Sequence, residues 1–140
     1  MSELPKAIIV DIDGTLAKMN GRGPFEWMRV GEDLVNEPIR HIVNLYQASC
    51  HKVIIFSGRD SVCREVTENW LSDNFIGYNS LFMRPQGNNE KDSIIKRRLF
   101  DENVNGKYDI QFVLDDRNQV VDMWRKDLGL TCLQVNYGDF

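Results

Sequence analysis

Five short apolar runs punctuate the chain: Ala7 to Val10, Val53 to Phe56, Ser80 to Met83, Phe112 to Leu114 and Cys132 to Val135. They are mostly β-branched or aromatic and unbroken by polar alternation, the pattern of strands buried on both faces. Between them apolar residues recur at helical spacing. After the start signals Asn36 and Pro38, the residues Ile39, Ile42, Val43 and Tyr46 fall on one face. A second helix is predicted from about Ser61 to Asp73, with Val62, Val66, Trp70 and Leu71 as its stripe, and a third from about Lys91 to Phe100 turns Ile94, Ile95 and Leu99 inward. A fourth, about Asn118 to Leu128, places Val121, Trp124 and Leu128 at i, i+3 and i+7, and Gly129 sits where a C′ glycine would stop it. Strands alternating with helices over short connections predict an α/β domain with a doubly wound, Rossmann-like parallel sheet of about five strands. Ligands of such a sheet bind beyond the carboxyl ends of its strands.

Those ends are strongly polar. The first strand runs into Asp11-Ile12-Asp13-Gly14-Thr15, the second into Ser57-Gly58-Arg59, the third into Arg84 and the fourth into Asp115-Asp116; Lys96 lies in the helix after the third. Alone, each motif has a plainer reading: a turn for the Asp-x-Asp-Gly and Ser-Gly, a helix cap for the Asp-Asp, a solvated helix face for Lys96 beside Arg97 and Arg98. Their coincidence at successive strand ends favours a site. Four converging carboxylates repel unless a cation neutralises them or some are protonated, and an oxygen-only donor set selects a hard ion such as Mg²⁺. Two aspartates spaced i, i+2 on extended backbone point the same way, so one can attack phosphorus while the other handles the proton.

Composition sets outer bounds. At 140 residues the chain is expected to be a single domain over 1–140, by the rough rule of about 150 residues per domain. Hydrophobic residues make up 42% and charged residues 27%, ordinary for a soluble protein. Lys+Arg 17 against Asp+Glu 21 gives a formal net charge of -4, which argues against a sequence-blind nucleic-acid coat but not against a local basic patch. No apolar run approaches the roughly 18 residues of a membrane span, and Met1 to Lys6 lacks the apolar core of a secretory signal. A cytoplasmic location without membrane contact is therefore expected. Cys50, Cys63 and Cys132 show no CxxC spacing and are expected to be small buried thiols.

In order and setting these residues resemble the haloacid dehalogenase-like phosphotransferase superfamily, with Val10 to Thr15 as its first motif, Ser57-Gly58-Arg59 as its second, Lys96 as its third and Leu114-Asp115-Asp116 as its fourth. A closer likeness covers about Lys6 to Phe140 and is to the 3′-phosphatase domains of bacteriophage polynucleotide kinase/phosphatases. It is carried by the runs Asp11 to Pro24 and Asp115 to Arg125 and by the terminal Gly138-Asp139-Phe140. The chain has no P-loop pattern GxxxxGK[ST], so no kinase domain or 5′-kinase activity is expected of it, and the segment Asp60 to Phe82 is shorter than in that family.

The resemblance implies Asp11 as the nucleophile forming a phospho-aspartate and Asp13 as general acid and then base. It implies Ser57 as a hydrogen-bond partner of a phosphoryl oxygen, and Lys96 as the cation between Asp11 and the phosphate. Asp115 and Asp116 would hold Mg²⁺ with the Asp11 carboxylate and the Asp13 carbonyl. Substrate contacts are implied for Thr15, Lys18, Arg22, Gly58, Arg59 and Arg84, the three arginines forming a basic patch around the rim. Turn signals at Asn20-Gly21 and Gly23-Pro24 predict a mobile flap over about 16–27, whose Phe25 and Trp27 either stack on a base or anchor the flap to the core. The intervals after the first and second motifs leave room for only a minimal cap, and an open rim accepts the end of a polymer. The expected activity is Mg²⁺-dependent removal of a 3′-terminal phosphate from DNA or RNA ends, in nucleic-acid repair. A small-molecule phosphatase or nucleotidase closed by a second subunit, and a silent phosphate-end-binding module, are the alternatives; a homo-oligomer is left open.

Overall fold

The computed structural model describes residues 3–140. In chain order the elements are β1 (Lys6–Val10), β2 (Ala17–Lys18), a 3-10 turn (Trp27–Glu32), β3 (Leu34–Val35), α1 (Glu37–Ala48), β4 (Lys52–Asp60), a second 3-10 turn (Ser61–Cys63) and α2 (Arg64–Asp73). They continue with β5 (Ser80–Arg84), α3 (Asp92–Asn103), β6 (Asp109–Asp115), α4 (Asn118–Asp122), a π-helical turn (Met123–Asp127) and β7 (Cys132–Gln134). Five strands form one parallel sheet in the order β5-β4-β1-β6-β7, and β2 and β3 pair separately as a small antiparallel ribbon.

The unbroken apolar character of the strands follows from the sheet being covered on both faces. Along β1, Ile8 and Val10 join Val53 and Ile55 of β4 in one cluster with Val43 of α1 and Leu71 of α2. Ala7 and Ile9 join Ile54 and Phe56 in the other, with Phe100 of α3 and Trp124 of the π-helical turn. Period-two alternation thus serves two cores, and from Ala7 to Val10 in β1 and from Val53 to Phe56 in β4 every side chain is apolar and buried.

All five predicted strands form, but the second continues through Ser57-Gly58-Arg59 to Asp60. Its pairing with β5 shifts between Ser57 and Asp60, and this irregularity aims Arg59 inward. The predicted helix faces need two corrections. Val62 is 49% exposed, because it falls in the tighter 3-10 turn before α2, where Cys63 turns inward instead. Ile94 is 47% exposed, because α3 gives its buried stripe to Asp92, Ile95 and Lys96 and so turns charge toward the strand ends. Cys63 and Cys132 are buried, whereas Cys50 is exposed in the turn before β4. Gly129 ends the fourth helical segment at φ 65°, the left-handed conformation expected of a C′ residue.

The chain's direction across the sheet reverses beside β1: it proceeds outward through β4 and β5, then returns to β6 on the other side. Val10 pairs with Leu114, so Asp11 and Asp115, the next residues on each strand, emerge side by side at this switch point. Beneath them Trp124 is fully buried, with ring centroids 5.7 Å from Phe56 and 6.0 Å from Phe100, and its Nε1 donates to Asp115 Oδ2 at 3.2 Å. Trp124→Ala is expected to destabilise the fold by about 3–5 kcal/mol, read as a lower urea midpoint; a shift within about 1 kcal/mol would refute this account of the core.

Candidate active site

At the centre of the strand ends is one buried ammonium. Lys96, carried inward by α3, donates through Nζ to Asp11 Oδ1 at 2.7 Å and to Asp115 Oδ2 at 3.1 Å, and lies 3.7 Å from Asp92 Oδ2 one helical turn earlier. Thr15 Oγ1 donates to the other Asp11 oxygen at 3.1 Å. Asp115 is held further by the backbone N–H of Asp116, which donates to its Oδ1 at 2.8 Å. Gly14 turns the chain at φ 83° after the Asp-x-Asp pair, and a Cβ there would overlap the Asp116 carboxylate. Only glycine lets the first and fourth motifs meet this closely.

Asp13 is held differently. Its side chain keeps 29% exposure while Arg59 donates to it through Nε at 3.1 and 3.2 Å and through Nη2 at 2.9 Å, and Arg22 adds a bond from Nη2 at 3.2 Å. Both guanidiniums also converge on Asp33: Arg22 through Nε at 2.8 Å and Nη2 at 2.9 Å, Arg59 through Nη2 at 3.1 Å. Thr67 accepts from Arg59 Nη1 at 3.0 Å. The expectation of Arg22 and Arg59 as rim cations is therefore corrected: both are buried, with their forks spent on Asp13 and Asp33, because an enclosed guanidinium requires carboxylate partners.

A cleft of about 820 Å³ opens over this centre, with Asp11, Asp13, Asp115 and Asp116 in its lining. Lys18, Gly58 and Arg84 also line it, as expected of residues at the rim. Arg84 Nε donates to the Gly58 carbonyl at 2.9 Å, and its Nη2 is 3.5 Å from Asp92 Oδ1. Ser57 is fully buried, and its hydroxyl accepts from the Arg59 amide at 3.1 Å; Thr15, equally buried, is turned to Asp11, and neither lines the cleft. The flap segment carries Arg22 into the interior and Trp27 onto the core, so it is tied down at two points.

Sequence reasoning missed two acidic residues. Asp33 brackets the arginines from a loop with no motif around it, and nothing in its neighbourhood signals the role. Asp92 lines the cleft, and its Oδ1 is the buried side-chain atom without a hydrogen-bond partner among the described residues. Its spacing i, i+4 from Lys96 was the available signal.

Burial pushes the Asp11 carboxyl well above the usual carboxylate range; Asp115 adds to the rise, Lys96 opposes it and Asp116 adds again. Burial and Asp115 likewise raise Asp116. Burial works against the charge on Lys96, but Asp11, Asp115 and Asp92 outweigh it and hold the amine protonated well above its usual value. Oxygen atoms of Asp11, Asp115 and Asp116 lie within 4.8 Å of one another. Three carboxylates against one ammonium leave a deficit that a divalent cation balances, and an all-oxygen donor set suits a hard ion. The residues fit Mg²⁺.

Fold and site together define a haloacid dehalogenase-like phosphatase. A family profile described as the polynucleotide kinase PNKP phosphatase domain matches residues 5–140, and the chain belongs to that family. Chains in the structures of the Pnkp1/Rnl/Hen1 complex and of the Pnkp1/Rnl/Hen1 RNA repair complex superpose with a TM-score of 0.97 at 48% identity. All of this chain is covered in both, and 49% and 45% of the solved chains. A protein of Autographa californica nuclear polyhedrosis virus, provisionally named a bifunctional polynucleotide kinase/RNA ligase, is 38% identical over 127 residues, 88% of this chain and 18% of its own. The class C acid phosphatase from Bacillus anthracis shares the fold, with a TM-score of 0.65 at 15% identity over 85% of this chain and 54% of its own. The chain thus spans about half the length of the solved relatives it matches and less than a fifth of the viral one.

A carboxyl whose proton is held more tightly in the folded chain than in the unfolded one costs stability as pH rises between the two values. The metal-free protein in EDTA is therefore expected to melt at progressively lower temperature as pH increases from about 5. Asp11→Asn should flatten that dependence, and Mg²⁺ should raise the wild-type midpoint at neutral pH. Thermal melts across pH check all three, and an unchanged wild-type midpoint with Mg²⁺ would contradict the charge deficit.

Proposed function

We propose that this domain removes the 3′-terminal phosphate from RNA ends in a Mg²⁺-dependent reaction through a phospho-aspartate. The observation that carries the reading is the pairing of two differently held aspartates on one strand end: Asp11 bonded to a buried ammonium, Asp13 half-open and gripped by two guanidiniums. An Asp11 carboxylate oxygen attacks phosphorus in line, and the 3′ oxygen leaves with the proton of the Asp13 carboxyl. Asp13, now ionised, takes a proton from water as that water attacks the phospho-aspartate, releasing inorganic phosphate and the free Asp11 carboxylate. Lys96, donating to Asp11 Oδ1, offsets charge on the nucleophile and on the phosphoryl oxygens beside it. Asp11, Asp115 and Asp116, with the Asp13 carbonyl, would hold Mg²⁺, which when bound would supply further charge neutralisation at the phosphoryl group. Ser57 serves the same oxygens once its hydroxyl turns from the Arg59 amide.

Several features support a polymer end as substrate. After β1 the chain inserts only the β2–β3 ribbon, a 3-10 turn and α1, and after β4 only a 3-10 turn and α2, so the unit is a single phosphatase domain with a minimal cap. Lys18 at the rim presents cation chemistry suited to a backbone phosphate, while Arg84 beside it commits Nε to the Gly58 carbonyl and Nη1 to Asn88 and Glu90. One solved relative comes from a complex described as one of RNA repair, which favours RNA and a working context beside other repair proteins. Among the described residues no helix is long and apolar enough to cross a membrane.

A phosphate-release panel with Mg²⁺, using 3′- and 5′-phosphorylated RNA and DNA oligonucleotides and nucleoside 3′-monophosphates, tests the proposal. Release from 3′-phosphorylated RNA is expected to dominate, to vanish in EDTA and to fall to background in Asp11→Asn. Asp13→Asn should lower kcat by roughly 10²–10⁴-fold, the range for a general acid–base group. Preference for the mononucleotides, or phosphate release that survives Asp11→Asn, would overturn the reading.

A further inference from the structure

Phe25 stands in the lining of the reactive cleft with most of its surface open to solvent. Single exposed apolar residues are ordinary on protein surfaces, but Phe25, 80% exposed, lines the cleft together with the apolar Met19, Pro24 and Trp27. Phe75 is equally exposed and lines no part of this cleft. The two flap aromatics also divide the expectations made for them. Trp27 packs against the core and anchors the flap, whereas Phe25 meets it edge to face, with ring centroids 6.0 Å apart and planes at 84°. That geometry leaves Phe25 unstacked.

The ring is not free to wander. Glu26 N donates to the Gly23 carbonyl at 3.1 Å, closing a β-turn with Pro24 at its second position and Phe25 at its third. The Glu26 carboxylate accepts from Gly23 N at 2.7 Å and locks the same turn from outside. The turn is bracketed by buried Arg22 on one side and half-buried Trp27 on the other. A rigid turn of this kind presents its apolar tip with little ordering cost on binding.

The cleft's polar floor takes the phosphoryl group, and its volume of about 820 Å³ far exceeds what a phosphate fills, leaving room for the rest of the terminal nucleotide against the apolar lining residues. Resting on the phosphatase reading above, we propose that Phe25 is the stacking platform for the base of the 3′-terminal nucleotide. The apolar lining carries no side-chain hydrogen-bonding group in Met19, Pro24 or Phe25, so it accepts any base by its π face and adds affinity without base identity. Phe25 is thus a substrate-positioning residue, while the chemistry stays with the aspartates.

Steady-state phosphate release from two 3′-phosphorylated oligonucleotides, one complete and one abasic only at its last nucleotide, tests this with Phe25→Ala, Phe25→Leu and Phe25→Trp. Base–aromatic stacking corresponds to a rise in KM of about ten-fold for Phe25→Ala on the complete substrate, with kcat little changed. Phe25→Leu should lose as much, because it keeps apolar bulk but no planar face, and Phe25→Trp should retain wild-type KM. On the abasic end all four proteins should have equal KM. Equal KM values on the complete end, or a loss that persists on the abasic end, would overturn the stacking assignment while leaving the phosphatase reading intact. A wild-type protein that releases phosphate from neither oligonucleotide fails on the reaction itself and overturns both.

Discussion

The buried Lys96 ammonium is the interaction on which the rest depends. Desolvating a lysine is unfavourable unless carboxylates surround it, and desolvated carboxylates are unfavourable unless a cation meets them. Asp11, Asp115 and Asp92 satisfy the first condition, and Lys96 satisfies the second only in part. The remaining imbalance, seen in the raised Asp11 and Asp116, leaves an acidic cluster whose chemistry fits a divalent cation rather than a closed ion pair. Breaking such a cluster by removing one partner costs several kcal/mol as an order of magnitude, so stability and function share these residues.

A second charged network is linked to the first through the single residue Ile12, which separates Asp11 from Asp13. Asp33 holds Arg22 and Arg59, and these hold Asp13, so the Asp13 carboxylate is oriented by residues from the flap and from the irregular end of β4. Trp70 fastens the arrangement by donating through Nε1 to the Asp33 carbonyl at 2.8 Å. The flap is therefore more than a cover: its buried arginine holds the Asp13 carboxylate, while its exposed turn lines the cleft.

Much of this was legible along the chain. Apolar runs bounded by Asp, Ser-Gly and Arg located all five strands and their functional ends, because a sheet covered on both faces excludes polar side chains until it stops. Asn36 shows how a local signal can be right in place and different in role. It precedes α1 as a cap residue would, yet its side chain donates to the Thr15 carbonyl at 2.9 Å and so fastens the first motif loop. Ile94 and Val62 were misassigned because helical periodicity reports which positions share a face and not which chemistry that face meets.

The order of strands, helices and motif residues, and hence the reaction class, is determined by local pattern and by residue types that only one kind of chemistry brings together. The destination of long charged side chains is not. Arg22, Arg59 and Arg84 look alike in sequence, but only Arg84 stays at the cleft, since Asp33 and Asp13, distant along the chain, draw the other two inside. Likewise Phe25 and Trp27 are two residues apart and equally apolar, and only packing separates the anchor from the exposed ring. Such choices depend on which partners tertiary structure brings within reach, a long-range condition that no window of sequence contains.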